Sequence, residues 1–169
     1  MYYGKIKPVD VANGEGVRVS LFVSGCPHHC KGCFNPELWN YHAGESYTIE
    51  TTMHILTLCY KPYISGLTLL GGEPLDPKNI DQMQMLCHTF KQYYPNKTIW
   101  CYTGYRWEEI KQLYIMKWID VLVDGEFVEA LKDPRLKFRG SSNQRIIDVK
   151  KSLESGNVYL RKDLMGDCW

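Results

Sequence analysis

The sequence predicts an α/β fold: an open, incomplete (β/α) barrel of mostly parallel strands in a single domain. Three observations predict it. Stretches rich in β-formers alternate with amphipathic helical stretches, the pattern of parallel βαβ units. The 169 residues hold about three such units with one or two added strands, whereas a closed eight-fold barrel needs roughly 200 residues or more. Cysteines, glycines and carboxylates also collect just after the β-rich runs, where α/β proteins bind their ligands.

Taken in order, residues 1–12 read as a short extended lead-in and Asn13-Gly14-Glu15-Gly16 as a turn. Val17 to Val23 predicts the first core strand, closed by Ser24-Gly25. Directly after it comes Cys26-Pro27-His28-His29-Cys30-Lys31-Gly32-Cys33, in which Pro27 and Gly32 argue against a regular helix. Phe34 and Trp39 read as packing residues, Phe34 standing close enough to Cys33 to cover a ligand. Thr48 is a helix N-cap, and Ile49, Met53, Leu56 and Tyr60 recur at helical spacing before Lys61-Pro62 ends the run. Gly66 to Leu70 is a compact strand followed by Gly71-Gly72-Glu73-Pro74. Asp76-Pro77 opens a helix over 78–94 with Ile80, Met83, Leu86 and Phe90 as its apolar stripe. Lys97 to Tyr102 is the next strand, with Thr103-Gly104-Tyr105 at its end. A helix from Arg106 to Tyr114 turns Trp107, Ile110 and Tyr114 inward, and Ile119 to Val123 forms a fourth strand ending at Asp124-Gly125. After the polar loop Arg139–Gln144, Arg145 to Val149 makes a fifth strand. Residues 1–149 thus form the domain, and residues 150–169 read as a loose tail or a short hairpin.

Composition narrows the function classes. The chain is 44% hydrophobic and 23% charged, with 20 basic and 19 acidic residues and a net charge of +1. That balance gives no electrostatic case for nucleic acid or an anionic membrane. The first residues lack the apolar core of a signal peptide, and no apolar run approaches the length of a membrane span, so the expected location is cytoplasmic.

Seven cysteines are an odd number, and they are not spread as a disulfide framework. Cys59, Cys87 and Cys101 fall in predicted helices and a strand and read as small buried apolar residues. Cys168 reads as exposed. Cys26, Cys30 and Cys33 are different: three closely placed thiolates suit a soft metal or an iron–sulfur cluster. A ferredoxin-type cube takes four cysteines, so a local set of three leaves one iron open for substrate. The rival reading is a zinc site completed by His28, His29 or a distant cysteine. Gly71 and Gly72 permit close approach of the backbone to a ligand, though the same residues also suit a plain strand-to-helix turn. Glu73 is able to order a cationic or hydroxyl-bearing group, and Asp124 reads as a turn residue or a site residue.

In a parallel sheet all four strand ends share one rim, so these separate features gather at one place. With that arrangement the sequence resembles the radical S-adenosylmethionine enzymes. Cys26-x3-Cys30-x2-Cys33 matches their cluster motif, and Gly71-Gly72-Glu73-Pro74 their second motif. Further stretches resemble the activating subunits of anaerobic ribonucleoside-triphosphate reductases: residues 13–18, 22–26, 32–35, 103–105, 123–125 and 139–144, within roughly residues 1–149 of the chain.

The resemblance implies a [4Fe-4S] cluster on Cys26, Cys30 and Cys33, which are the catalytic and metal-binding residues. It implies S-adenosylmethionine on the open iron, held by Gly71, Gly72 and Glu73. Gly32, Cys33 and Phe34 line the cofactor near the cluster. Gly32 stands where many radical enzymes carry an aromatic residue against adenine, and Phe34 takes that role here. Thr103 and Asp124 occupy rim positions for the methionine carboxylate. One electron cleaves the sulfonium, and the 5′-deoxyadenosyl radical takes a hydrogen from a glycine of the partner. The partner is the reductase large subunit, and the electron donor a protein such as flavodoxin. An open sheet favours a protein substrate, because a large partner can close over a radical that must be kept from solvent. Two other readings compete: a short radical enzyme acting on a small molecule, such as a deazaguanine-forming one, and a non-catalytic zinc or iron–sulfur binding protein.

Overall fold

The computed structural model describes residues 1–166. The chain opens with β1 (Tyr2–Asp10) and turns through Asn13–Gly16 into β2 (Val17–Val23). The cysteine loop, a 3-10 turn at Pro36–Trp39 and the two-residue β3 (Glu45–Ser46) lead to α1 (Ile49–Cys59). Then come β4 (Ile64–Gly71), α2 (Ile80–Tyr93), β5 (Thr98–Tyr102), the single turn α3 (Trp107–Ile110) and β6 (Val121–Asp124). A long excursion over 125–144 returns as β7 (Arg145–Asp148), followed by α4 (Val149–Ser155) and α5 (Lys162–Met165).

One seven-stranded sheet results, in the order β3-β1-β2-β4-β5-β6-β7. The central β2, β4, β5 and β6 are parallel. The outer strands β1, β3 and β7 pair antiparallel. Four parallel strands in an open sheet are the predicted incomplete barrel.

Strand alternation divides the sheet into two faces. Val19, Leu21, Leu67, Leu69, Ile99, Cys101, Leu122 and Ile147 share one core with Ile55 and Leu56 of α1 and Met83, Leu86 and Phe90 of α2. Each fully buried aliphatic side chain there contributes about 1.5–3 kcal/mol. Cys59, Cys87 and Cys101 are fully buried in this core, as expected; Cys168 lies outside the described residues. The other face carries Phe22 and Leu70 in one apolar group, and Trp100, Val121, Val123 and Ile146 in another, with Tyr102 against both. This second face lines the cavity described below.

Arg18 is 1% exposed on that face and has no carboxylate among its hydrogen-bond partners. Its Nε donates to Thr68 Oγ1 at 2.7 Å. Its Nη1 donates to Glu15 O at 3.1 Å and Thr98 Oγ1 at 3.0 Å, and its Nη2 to Leu67 O and Thr98 O, each at 2.8 Å. One guanidinium thereby joins β2, β4 and the start of β5, and burial drags its pKa down to about 10.

Three elements differ from the sequence reading. In α1 the buried side chains are Thr51, Thr52, Ile55, Leu56 and Cys59, while Ile49, Met53 and Tyr60 face outward at 61%, 51% and 77% exposure. The helix predicted over 106–114 stops at Ile110, and Tyr114 is exposed on a 3-10 turn; Trp107 and Ile110 are buried as expected. The segment after Lys150 carries structure: Asp148 Oδ1 accepts from Lys151 N to start α4, and Leu160 bridges back to Ile147.

Candidate active site

The ends of β2, β4, β5 and β6 do share one rim. A cavity of about 440 Å³ opens there, lined by Cys26, Cys30, Cys33, Phe34, Gly71, Gly72, Glu73 and Thr103. Its deeper wall is Phe22, Leu70 and Tyr102, and its side walls carry Lys5 and Lys7 from β1 and Phe138 to Gly140 from the long excursion.

The glycine strip is stitched to the start of the cysteine loop through backbone. Gly72 N donates to Val23 O and Glu73 N to Gly25 O, both at 2.8 Å. Gly71 has φ +106°, and a Cβ at Gly72 would lie 2.5 Å from the Gly25 carbonyl oxygen. Only glycine allows two strand ends to meet this closely. Asn79, 1% exposed, closes the junction by donating from Nδ2 to Ser24 O and Glu73 O, each at 3.0 Å. The sequence reading gave Asn79 no role, because a helix-opening asparagine looks like an ordinary cap.

Glu73 is 1% exposed, and four donors surround its carboxylate. Oε1 accepts from Leu75 N at 2.9 Å and Thr103 Oγ1 at 2.8 Å. Oε2 accepts from Gly104 N at 2.8 Å and meets His28 Nε2 at 3.0 Å. The opposite ring nitrogen, His28 Nδ1, lies 2.9 Å from Glu126 Oε1. Both His28 partners are carboxylates, so both nitrogens serve as donors when the carboxylates are ionised. The hydrogen bond to Glu73 raises the His28 pKa above its ordinary value, against the opposing effect of burial.

Burial pushes the Cys26 thiol up to about 11, with the Glu73 charge adding and the His28 and His29 amides opposing. Burial raises Cys30 as well, opposed by the Phe127 amide. Asn35 N donates to Cys33 Sγ at 3.4 Å. Positive iron offsets burial of a thiolate, and amides aimed at sulfur are what cluster ligands use. Among the described residues no group of His, Cys, Asp or Glu is drawn together for a single metal ion. Each cysteine of a cluster holds its own iron, so thiols around a cavity suit a cluster. Three soft donors, amides on sulfur and a glycine-lined approach fit the [4Fe-4S] group.

The other candidate residues separate. Thr103 is buried and faces Glu73. Phe34 is 60% exposed at the mouth, its ring 5.0 Å from Phe127 and under Lys132. Gly32 has φ +74° and turns toward Glu129, outside the cavity lining. Asp124 is at the rim but turned away: its carboxylate accepts from Trp107 N at 2.8 Å and holds Arg145, toward an outer cleft. Gly125 lines the cavity in its place. His28 has both ring nitrogens engaged by carboxylates, while His29 stacks on Trp39 at 4.7 Å.

Residues 12–147 match the family model described as a 4Fe-4S single cluster domain. The anaerobic ribonucleoside-triphosphate reductase-activating protein of Enterobacteria phage T4 is 44% identical over 146 residues, 86% of this chain and 93% of its own. The chain belongs to the anaerobic ribonucleoside-triphosphate reductase-activating protein family. The family's members from Vibrio cholerae serotype O1 and Escherichia coli K12 agree with this. They are 43% identical over 150 residues, covering 86% of this chain and 97% of the relative, and 42% over 148, covering 85% and 96%. The match to the reductase-activating proteins thus spans nearly their whole length. Among the described residues no helix is long and apolar enough to cross a membrane.

Proposed function

We propose that this chain activates an anaerobic ribonucleoside-triphosphate reductase by making a glycyl radical on its large subunit. The observation that carries the reading is the convergence of the Cys26, Cys30 and Cys33 thiols and the Gly71–Glu73 strip on one cavity. Cys26, Cys30 and Cys33 would hold the [4Fe-4S] cluster. When bound, the reduced cluster and S-adenosylmethionine together supply a 5′-deoxyadenosyl radical that takes hydrogen from a partner glycine.

The chain's own residues bind, orient and shield. Gly71 and Gly72 offer backbone to the methionine amino group at a point where a side chain would collide with the backbone of Phe22 and Val23 at the end of β2 or with that of Gly25. Glu73 acts by holding Thr103, Gly104 and His28 in place, since its own lone pairs are already engaged. Phe34 with Phe127 covers the mouth beside Cys33. Asp124 enters as a rim-holding residue, and Gly32 as the turn that brings Cys33 round. Residues 1–149 form the catalytic domain, and α4 and α5 brace its β7 edge. A low-potential protein of the flavodoxin type supplies the electron, and the site of action is the cytoplasm.

The test is anaerobic reconstitution with iron and sulfide, reduction, and assay of 5′-deoxyadenosine beside a Cys30→Ala control. Cleavage in the parent and none in the control is expected, followed by a glycyl-radical signal on adding the reductase. A full cluster that cleaves no S-adenosylmethionine, with or without the reductase, would overturn the reading.

A further inference from the structure

We propose that His28 is a positioning residue for S-adenosylmethionine, locking the cysteine loop to the Gly71–Glu73 strip through the carboxylate of Glu73. The inference rests on the proposed role of that strip. His28 stands between two of the three cysteines, yet its bonds lead away from them. Nε2 reaches Glu73 Oε2 at 3.0 Å, and the side chains are 10% and 1% exposed. The other donors to Glu73 come from Leu75, behind β4, and from Thr103 and Gly104, behind β5. Nδ1 reaches Glu126, behind β6. One imidazole therefore ties the loop behind β2 to the other three strand ends of the rim.

The ring is held on its faces too. Tyr105 meets it edge-on at 4.6 Å, and a Cβ on Gly104 would come within 2.5 Å of its Cδ2. A ring fixed this firmly sets the distance and angle between the cysteine loop and the glycine strip. The cluster and the methionine part of the cofactor must be placed together across that gap. A largely buried hydrogen bond to a carboxylate is a strong link for the purpose.

The test uses full-length protein reconstituted anaerobically. Iron and sulfide per chain, the dissociation constant for S-adenosylmethionine, and the change in the reduced cluster's EPR spectrum on adding it are compared. His28→Ala is expected to keep the parental iron content and bind S-adenosylmethionine about 10- to 100-fold more weakly, with a reduced spectral change. His28→Gln, which retains one donor, recovers part of the affinity. Glu126→Gln changes it by less than about threefold, because that carboxylate is 56% exposed. Should His28→Ala not fold, His28→Phe keeps the contacts with Tyr105 and Gly104, removes both hydrogen bonds and carries the same expectation. Parental affinity in the His28 variant, or loss of iron from both His28→Ala and His28→Phe, overturns the proposal. Gly72→Ala separates the two levels. Weak binding in Gly72→Ala with parental binding in the His28 variant sinks only the role of His28. Parental binding in both sinks the assignment of the glycine strip.

Discussion

Replacing Arg18 by methionine keeps most of the side-chain length and removes all five N–H donors. Two of the stranded acceptors, Thr68 Oγ1 and Leu67 O, make fully buried bonds to Arg18. Leaving them unpaired costs about 2–6 kcal/mol. The remaining three bonds, to Glu15 and Thr98, contribute about 0.5–1.5 kcal/mol each. Withdrawing a cation from the interior works the other way. The fall of the guanidinium pKa from 12.5 to about 10 corresponds to about 3 kcal/mol against the charged form. The balance centres on a loss of about 4 kcal/mol. With a urea slope of about 2 kcal/mol/M, the unfolding midpoint falls by about 2 M. Fluorescence is a suitable probe, because Arg18 lies 5.6 Å from the Trp100 ring. Arg18→Lys should lose nearly as much, since a point ammonium cannot span three strands. A methionine variant as stable as the parent would refute the reasoning and make the guanidinium a net burden, as happens with some buried ion pairs.

Asp124→Ala strands Trp107 N and half-frees Arg145, and should lower stability by about 2–4 kcal/mol in a denaturant melt while iron content stays parental. Loss of the cluster in that variant would return Asp124 to the site. The Tyr47 phenol is pushed up to about 12, chiefly by burial. A raised phenol pKa means that its stability contribution is complete below pH 10 and is lost as pH rises from there toward 12. Tyr47→Phe should therefore flatten the alkaline stability curve by about 2 kcal/mol over that window, and an unchanged slope would contradict the assignment.

Much of the rim was legible because its signals are local. Cys26, Cys30, Cys33, Gly71, Gly72 and Thr103 each follow a run of β-formers, and parallel pairing does the rest. The stripe of α2 was readable because Met83, Leu86 and Phe90 fall on one face with polar residues elsewhere. In α1 the choice of face was not readable. Ile49, Met53 and Tyr60 fit a helical period, but so do Thr52, Ile55, Leu56 and Cys59, and packing chose the set that fits against the sheet. Arg18 shares the phase of Ser20 and Phe22, yet nothing in a strand pattern says that an arginine will be fully enclosed. The link from His28 to Glu73 spans 45 positions, and residue type alone does not pair them. Asp124 was misleading for the opposite reason: a carboxylate at a strand end is also the natural partner of an arginine beginning the neighbouring antiparallel strand.

Tyr102 forms part of the deep cavity wall, and among the described residues its phenol oxygen has no hydrogen-bond partner. Burial raises the phenol pKa far above its ordinary value. The phenol therefore stays protonated at neutral pH, and the deep wall of Phe22, Leu70 and Tyr102 presents a neutral surface with a single O–H left to donate. A group entering the chamber meets aromatic bulk and one uncommitted donor there rather than a phenolate.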